Sequence, residues 1–427
     1  VLLGFLILIG TLVGVELPLL VRMMDRYGQL RTIVAQALSF DYLGCLVGSL
    51  LFPLVLHPML GPTRTAFLVG IVNVGVAFYT TRTFHSRFGS PALVYAMCGG
   101  AALVLAVGFA NSLRLNGLLE RRLYDDEVIY LRQSQYQRIV FTRWRSDLRL
   151  YLDGNLQFSS TDEHRYHETL VHPAMGVAAN REEVLILGGG DGLAVREVLR
   201  WPEVRRVTLV DLDPVVTGLA RSFPALRTLN GAALDDPRVD VVNTDAHAFL
   251  ERRPERYGVI IADLPDPNGD ALAKLYSVEF YRLARRHLSP GGVLVTQASS
   301  PFFSREAFWC ITRTVEAAGL AVRPIHTYVP SFGDWGFVLA AEPRTGGRRS
   351  IRPAQPGSAR EPAAGGEPLD PGRTRLPEGL RYLTPEVTRT LSVFGADTGS
   401  IPVDVSTVDH PRILRYYLDG AGKWDGP

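Results

Sequence analysis

An apolar run, Val184 to Leu187, stops at three consecutive glycines, Gly188, Gly189 and Gly190, followed by Asp191 and Gly192. A helical pattern starts at once, Ala194 to Trp201. Strand, glycine turn and helix in this order open a nucleotide-binding α/β unit, because only glycine lets a ligand approach the backbone closely. A second strand pattern, Arg206 to Val210, ends in Asp211, about twenty residues on, where such folds hold a ribose hydroxyl. Two features argue against a dinucleotide. The third glycine of G-x-G-x-x-G would fall at Leu193, and Asp191 puts a carboxylate where a pyrophosphate would sit. An acid there suits a cationic ligand, of which an adenosyl sulfonium bearing an amine is one.

From residue 183 to residue 340, strand and helix patterns alternate. Strands are expected near 183–188, 206–211, 239–244, 257–263 and 291–297, and helices near 193–201, 213–222, 276–288 and 304–318. This is the pattern of an α/β, doubly wound parallel sheet. Two further strands, near 321–327 and 335–341, would close its edge. Ahead of it, residues 124–159 hold short runs with apolar residues at period two and an Asp153-Gly154 turn, which predicts a small antiparallel sheet.

The N-terminal part is different in kind. Residues 1–115 hold four apolar stretches, near 1–24, 38–60, 65–81 and 91–113. Each approaches the roughly 20 residues that a bilayer crossing needs. They predict a transmembrane helical bundle, and repetition of the stretches argues against a signal peptide. Glu16 and Asp41 lie inside two of them; acids at membrane depth are costly and often functional, although Asp41 at the interface and Glu16 paired within the bundle would also account for them. Val1 falls inside an apolar stretch, so further spans are expected upstream. Arg22, Arg26, Arg31, Arg82 and Arg87 flank the first and third loops and Arg64 alone the second, which puts the first and third loops in the cytoplasm and the soluble part outside after four crossings. The chemistry expected below uses a metabolite made in the cytosol and asks for the opposite.

The expected organisation is therefore transmembrane helices over 1–115, a small β-sheet domain over 124–160, the α/β domain over 161–342, a Pro/Gly/Arg-rich disordered linker over 343–378 and a tail over 379–427. The tail carries one helix pattern near 385–393 and no assigned function. A net charge of +2 gives no reason to expect nucleic acid as a partner. Cys45, Cys98 and Cys310 have no metal or disulfide spacing, so no metal is expected and a reducing compartment is compatible.

Ligands of open α/β sheets bind at the carboxyl ends of the strands. Asp191, Asp211, Asp245 and the pair Asp263 and Asp266 all fall there. Any single one could be a helix cap or turn former. Together they would line one crevice that repels anions and attracts a polyamine.

The run 257–269, YGVIIADLPDPNG, resembles the D-x-x-D-P signature of aminopropyltransferases such as spermidine synthase. Residues 135–139 resemble the family's Y-Q-x-I segment, 152–157 its L-D-G-x-x-Q and 162–168 its D-E-x-x-Y-H-E; the glycine loop is similar to G-G-G-D-G. The resemblance spans about 124–340, and the apolar N-terminal part resembles the family's membrane-fused bacterial branch. It implies a Rossmann-like fold of the class I methyltransferase type. It also implies transfer of the aminopropyl group of decarboxylated S-adenosylmethionine to putrescine or another diamine, giving spermidine and methylthioadenosine, with no tightly bound cofactor. By the same resemblance Asp263 is the base, Asp266 holds the diamine's ammonium groups and Asp191 the donor's amine. Gln137, Asp211, Asp245 and Ala246 hold the nucleoside, and Tyr166 and His167 line the polyamine side. For Tyr166 a core aromatic, and for His167 a structural hydrogen bond, are the plain alternatives. Gln297 could face the pocket or pack at the edge. A multi-pass cell-membrane protein with a cytoplasmic catalytic domain, forming a homodimer or homotetramer, is implied too.

Four positions depart from the soluble family's pattern: Ala246 and Leu193 stand for glycines, Asp270 for a proline, and Phe332 falls near a substrate-binding tyrosine. They bear on acceptor identity and length. An amine methyltransferase using intact S-adenosylmethionine, and a polyamine-binding or transport module using Glu16 and Asp41, are the alternative functions.

Overall fold

The computed structural model describes residues 4, 6–15, 30–84, 90–120, 124–343, 369–373 and 375–422. The chain forms two compact units, Val1–Asp125 and Asp126–Pro427.

The first unit is helical. A short apolar helix α1 (Leu6–Val15) is followed by α2 (Leu30–Leu51), which runs through a π-helical turn, Phe52–Leu56, into α3 (His57–Thr83). Gly61, at φ 72°, and Pro62 kink the start of α3, as expected where an N–H is missing. Then comes α4 (Pro91–Glu120). Among the described residues, three segments are long and apolar enough to cross a membrane: Val34–Leu56, Met59–Thr83 and Pro91–Ser112. They carry exposed apolar side chains, such as Leu46, Leu103 and Val104. A helix apolar all round needs lipid or protein around it. Gly70 against Leu105 and Gly108 against Phe67 let α3 and α4 approach, and Arg64 Nε donates to Ser112 Oγ at 3.1 Å. Of the expected first span, near 1–24, residues 4 and 6–15 are helical, and the rest, Glu16 included, lies outside the described residues. Asp41 is exposed on α2.

The second unit opens with a four-stranded antiparallel meander: β1 (Glu127–Gln133), β2 (Arg138–Trp144), β3 (Asp147–Leu152) and β4 (Asn155–Ser159). Asp153 and Gly154, at φ 49° and 84°, make the tight turn between β3 and β4. Next comes α5 (Glu163–Val177), a helix absent from the expected set. Its buried residues include Glu163, His167, Glu168 and His172, so its inner face does not read as apolar.

The large sheet has seven strands in the order β10-β11-β9-β8-β5-β6-β7. Parallel strands β5 (Glu183–Gly188), β6 (Arg206–Asp211), β7 (Val239–Asn243), β8 (Tyr257–Asp263) and β9 (Leu288–Gln297) are joined by the antiparallel hairpin β10 (Ala321–Val329) and β11 (Gly333–Ala341). The hairpin inserts β11 beside β9 and leaves β10 at the edge. Neighbours along β5 go to opposite faces: Val184 and Ile186 enter one core, Leu185 and Leu187 the other. Burial on both faces is why these strands read as unbroken apolar runs. Strand order reverses between β5 and β8, which opens a crevice at their carboxyl ends.

Helices α6 (Leu193–Val198), α7 (Pro214–Ser222), α8 (Pro224–Leu229), α9 (Ala246–Arg252), α10 (Asp270–Ala273), α11 (Val278–Arg286) and α12 (Arg305–Ala317) connect the strands; α8 to α10 were not expected. The tail adds α13 (Pro385–Thr390) and α14 (Arg412–Ala421). The expected linker, 343–378, is too long at its C-terminal end. Leu369 is buried in the core, and Pro371–Arg373 form a 3-10 turn. Pro- and Gly-rich composition, averaged over a window, hides the two leucines that dock, Leu369 and Leu376.

Candidate functional site

The glycine loop after β5 is shaped by the acids around it. A Cβ on Gly188 would overlap the backbone carbonyl of Asp263. On Gly189 it would sit 2.9 Å from Asp263 Oδ2, and on Gly190 2.5 Å from Asp211 Oδ2. Positive φ at Gly188 and Gly189, 81° and 67°, independently favours glycine. Thus β5, β6 and β8 bring Asp191, Asp211 and Asp263 around one loop.

Asp211 is held by two backbone donors, Asp213 N to Oδ1 at 2.9 Å and Gly190 N to Oδ2 at 3.0 Å. Asp191 Oδ1 accepts from Leu193 N at 2.9 Å. Asp263 Oδ1 accepts from the Tyr166 hydroxyl at 2.8 Å. Asp266 Oδ1 accepts from Gln297 Nε2 at 3.3 Å. Burial pushes Asp191, Asp211 and Asp266 each up to about 6. It raises Asp263 as well, against the pull of His167 and Tyr166.

His167 supplies the balancing charge. Burial opposes its protonation, but the bond from Nδ1 to Glu163 Oε2 at 3.0 Å, with Asp191 and Asp263 nearby, raises it to about 9. Glu163 is itself buried, yet His167 and Arg196 bring it down to about 2. Arg196 grips both Glu163 oxygens, at 3.0 and 2.9 Å, and reaches Glu197 at 2.8 Å. Glu197 meets His172, which accepts from Trp201 Nε1 at 3.1 Å. A buried ion network therefore stands behind His167.

Tyr166 is 8% exposed and sits among rings, with centroids at 5.1 Å to Phe337, 6.2 Å to Phe332 and 6.5 Å to Trp335. An aromatic wall beside carboxylates favours cations. Gln297 is buried and donates to Leu264 O at 2.7 Å and to the Tyr276 hydroxyl, so it faces the Asp266 loop.

Two expected residues sit apart from the cluster. Gln137, in the β1–β2 turn, donates to Asp213 Oδ2 at 3.2 Å. Asp245, exposed at the end of β7, caps α9 through Ala248 N at 2.8 Å, beside buried Ala246. Capping is the ordinary role of such an acid and leaves one carboxylate oxygen for a donor. Sequence reasoning missed Asp213, Glu163, Arg196 and Tyr276. Asp213 had a legible signal, an acid directly before Pro214 at a helix start. The others contact the site through tertiary packing.

Fold and acids define the class: a Rossmann-like enzyme whose crevice is built for cationic ligands. A spermine/spermidine synthase domain model matches residues 163–345. Polyamine aminopropyltransferase 2 of Ralstonia nicotianae is 44% identical over 431 residues, covering 100% of this chain and 79% of that protein. The polyamine aminopropyltransferase of Leptospira interrogans is 41% identical over 411 residues, covering 96% and 78%. A spermidine synthase crystallised with the transition state analogue AdoDATO shares the fold, with TM-score 0.54 and 23% identity over 70% of this chain and 89% of that one. So does the spermidine synthase of Thermotoga maritima, with TM-score 0.52, 24% identity and coverage of 70% and 88%. The chain belongs to the spermine/spermidine synthase family, the polyamine aminopropyltransferases.

Proposed function

We propose that this aminopropyltransferase is a spermidine synthase that uses decarboxylated S-adenosylmethionine as donor and putrescine as acceptor. The observation that carries this reading is the convergence of Asp191, Asp263 and Asp266 beside an aromatic wall. The acceptor nitrogen attacks the aminopropyl carbon next to the sulfonium, the C–S bond breaks and methylthioadenosine leaves. Asp263 takes the amine proton; burial raises its pKa and makes it a stronger base than an exposed carboxylate. Tyr166 orients that carboxylate. Asp266 holds the acceptor's distal ammonium and Asp191 the donor's amine. Asp211 and Gln137 hold the ribose side, and Asp245 with Ala246 the adenine amino group. His167 offsets the crowded negative charge and lines the acceptor path. The methyltransferase alternative has no use for the second acid, Asp266. Turnover of purified full chain, following methylthioadenosine and spermidine, tests the reading; methylthioadenosine without spermidine, or no product from any diamine, overturns it.

A pH dependence follows. Diamine amines titrate near 10 and stay charged across the acid range. Asp191, Asp211 and Asp266 ionise only as pH rises through about 6. In the empty site their raised values favour the folded state below about pH 4, and this stabilisation is lost as pH rises through about 6. A cationic ligand reverses that loss. Putrescine affinity is therefore expected to be at least about tenfold weaker at pH 5 than at pH 7.5 by calorimetry; equal affinity at both would refute the role given to these acids.

The same reading places α2 to α4 in the cell membrane, with the catalytic unit cytoplasmic and assembled as a homodimer or homotetramer. The apolar surfaces of the three helices support the first point, and a donor made in the cytosol the second. For assembly, the edge strand β1 carries exposed Leu131. C-terminal fusions should fluoresce with a fluorescent protein and be inactive with alkaline phosphatase; the reverse places the catalytic unit outside. A monomeric mass in detergent would sink the assembly.

A further inference from the structure

Between Asp263 and Asp266 the chain leaves the sheet. Asp263 closes β8 opposite Gly188 of β5, and the Tyr166 hydroxyl holds its carboxylate. Leu264, Pro265 and Asp266 follow as irregular chain. A buried segment of this kind needs donors for its carbonyls from outside a strand ladder. The carbonyls of Leu264 and Pro265 share one: the Tyr276 hydroxyl donates to Leu264 O at 3.1 Å and to Pro265 O at 2.9 Å. The same hydroxyl oxygen accepts from Gln297 Nε2, which also donates to Leu264 O at 2.7 Å and to Asp266 Oδ1 at 3.3 Å.

Both donors are themselves fixed. Tyr276 ends the 3-10 turn Lys274–Tyr276 and is fully buried, in one core with Leu264, Phe280 and Tyr281. Beside it, Ser277 ties the turn to α11: its hydroxyl donates to Lys274 O at 2.8 Å and accepts from Phe280 N at 3.2 Å. Ser299 N donates to Gln297 Oε1 at 2.9 Å, which turns the amide nitrogen of Gln297 towards the loop. Burial pushes the Tyr276 phenol well above its ordinary value, so it keeps the proton it donates.

We propose that Tyr276 is a positioning residue that sets the spacing between Asp263 and Asp266, and with it the length of diamine the site prefers. This rests on the reading of Asp263 as the base and Asp266 as the acceptor's anchor. Without the hydroxyl, Asp263 keeps its strand register and its bond from Tyr166. The loop that carries Asp266 instead loses the donor to two of its carbonyls. A diamine held between a fixed base and a loose anchor is measured less strictly, and the loop must be ordered each time one binds.

The test is Tyr276→Phe in the full chain, which removes one hydroxyl and keeps the ring that packs. The KM for putrescine is expected to rise about five- to tenfold, as for the loss of one buried hydrogen bond. Both kcat and the KM for decarboxylated S-adenosylmethionine are expected to stay within about threefold, since the base and the nucleoside side are untouched. The deciding readout is kcat/KM for putrescine over that for cadaverine, one methylene longer. A methylene is worth about tenfold or more to a site that measures it, and the variant is expected to lose at least about threefold of the parent's preference. A hydroxyl with a merely structural role would weaken both diamines alike, so an unchanged preference overturns the proposal whatever the KM does. Asp266→Asn run in parallel separates the two ways to fail. If it raises the putrescine KM while Tyr276→Phe leaves the preference unmoved, the anchor stands and Tyr276 has no such role. If it leaves that KM unmoved, the anchor reading is wrong and the proposal falls with it.

Discussion

Asp263→Asn is expected to lower kcat by about 10²–10⁴-fold, the usual contribution of a positioned general base. Asparagine keeps the shape and can still accept from the Tyr166 hydroxyl, which lies 2.8 Å from the present carboxylate. It also keeps the volume packed against Gly189. On the proposed mechanism, what it loses is the ability to take the proton as the acceptor nitrogen attacks. Binding should therefore survive: the KM for either substrate is expected to move by no more than about threefold, because the loss lies in the transition state. Steady-state kinetics beside direct binding of methylthioadenosine check both halves. A kcat within about fivefold of the parent would leave proton removal to another group or to water.

Arg196→Met is expected to be the most damaging substitution for stability. Glu163 and Glu197 are 0% and 1% exposed, and Arg196 bonds both. Removing it leaves two buried carboxylates short of a partner, a change that typically costs about 3–5 kcal/mol. In a unit of this size that is a fall in Tm of order 10 °C. The pH window follows from the shifts. Glu163, lowered to about 2, contributes stability above the unfolded carboxyl value near 4 and loses it as pH falls through about 2. His167, raised to about 9, contributes fully below about 6.5 and loses it as pH rises through about 9. The difference between parent and variant should thus be greatest between about pH 4 and 7. Thermal unfolding followed by tryptophan fluorescence checks this, since Trp201 belongs to the network. Arg227→Met, which breaks the exposed pair with Asp235, is the control, expected to cost under about 1 kcal/mol. Equal behaviour of the two variants would mean that the buried network contributes nothing to stability.

The clustering of the acids at the strand ends was legible because chain-local rules place them. A parallel strand buried on both faces must be apolar, and the residue where it ends must meet the crevice, so Asp191, Asp211 and Asp263 could be located by reading where each run stops. Period and length sufficed for β5 to β9 and for the meander, whose turn chemistry is explicit at Asp153-Gly154. The same rules failed for α5. Its inner face buries Glu163, His167, Glu168 and His172, which are polar by type and at home only because Arg196, Trp201 and the backbone of the tail meet them. Glu168, for example, accepts from the N–H groups of Arg381, Tyr382 and Leu383 at 2.7, 2.9 and 2.9 Å.

The sequence by itself determined the glycine loop, the succession of strands, the acids at their ends and the apolar character of the N-terminal helices. Each depends on a residue and its near neighbours: a φ that only glycine tolerates, an alternation, a run long enough for a bilayer. Only the tertiary structure decided which donors hold those acids. The donor on Asp266 comes from Gln297 at the end of β9, and the charge balance at His167 joins α5 to α6, with over thirty residues between Glu163 and Arg196. Such partners are chosen by where the folded chain brings a buried charge, since an unpaired one costs too much to keep, and no local pattern records that choice.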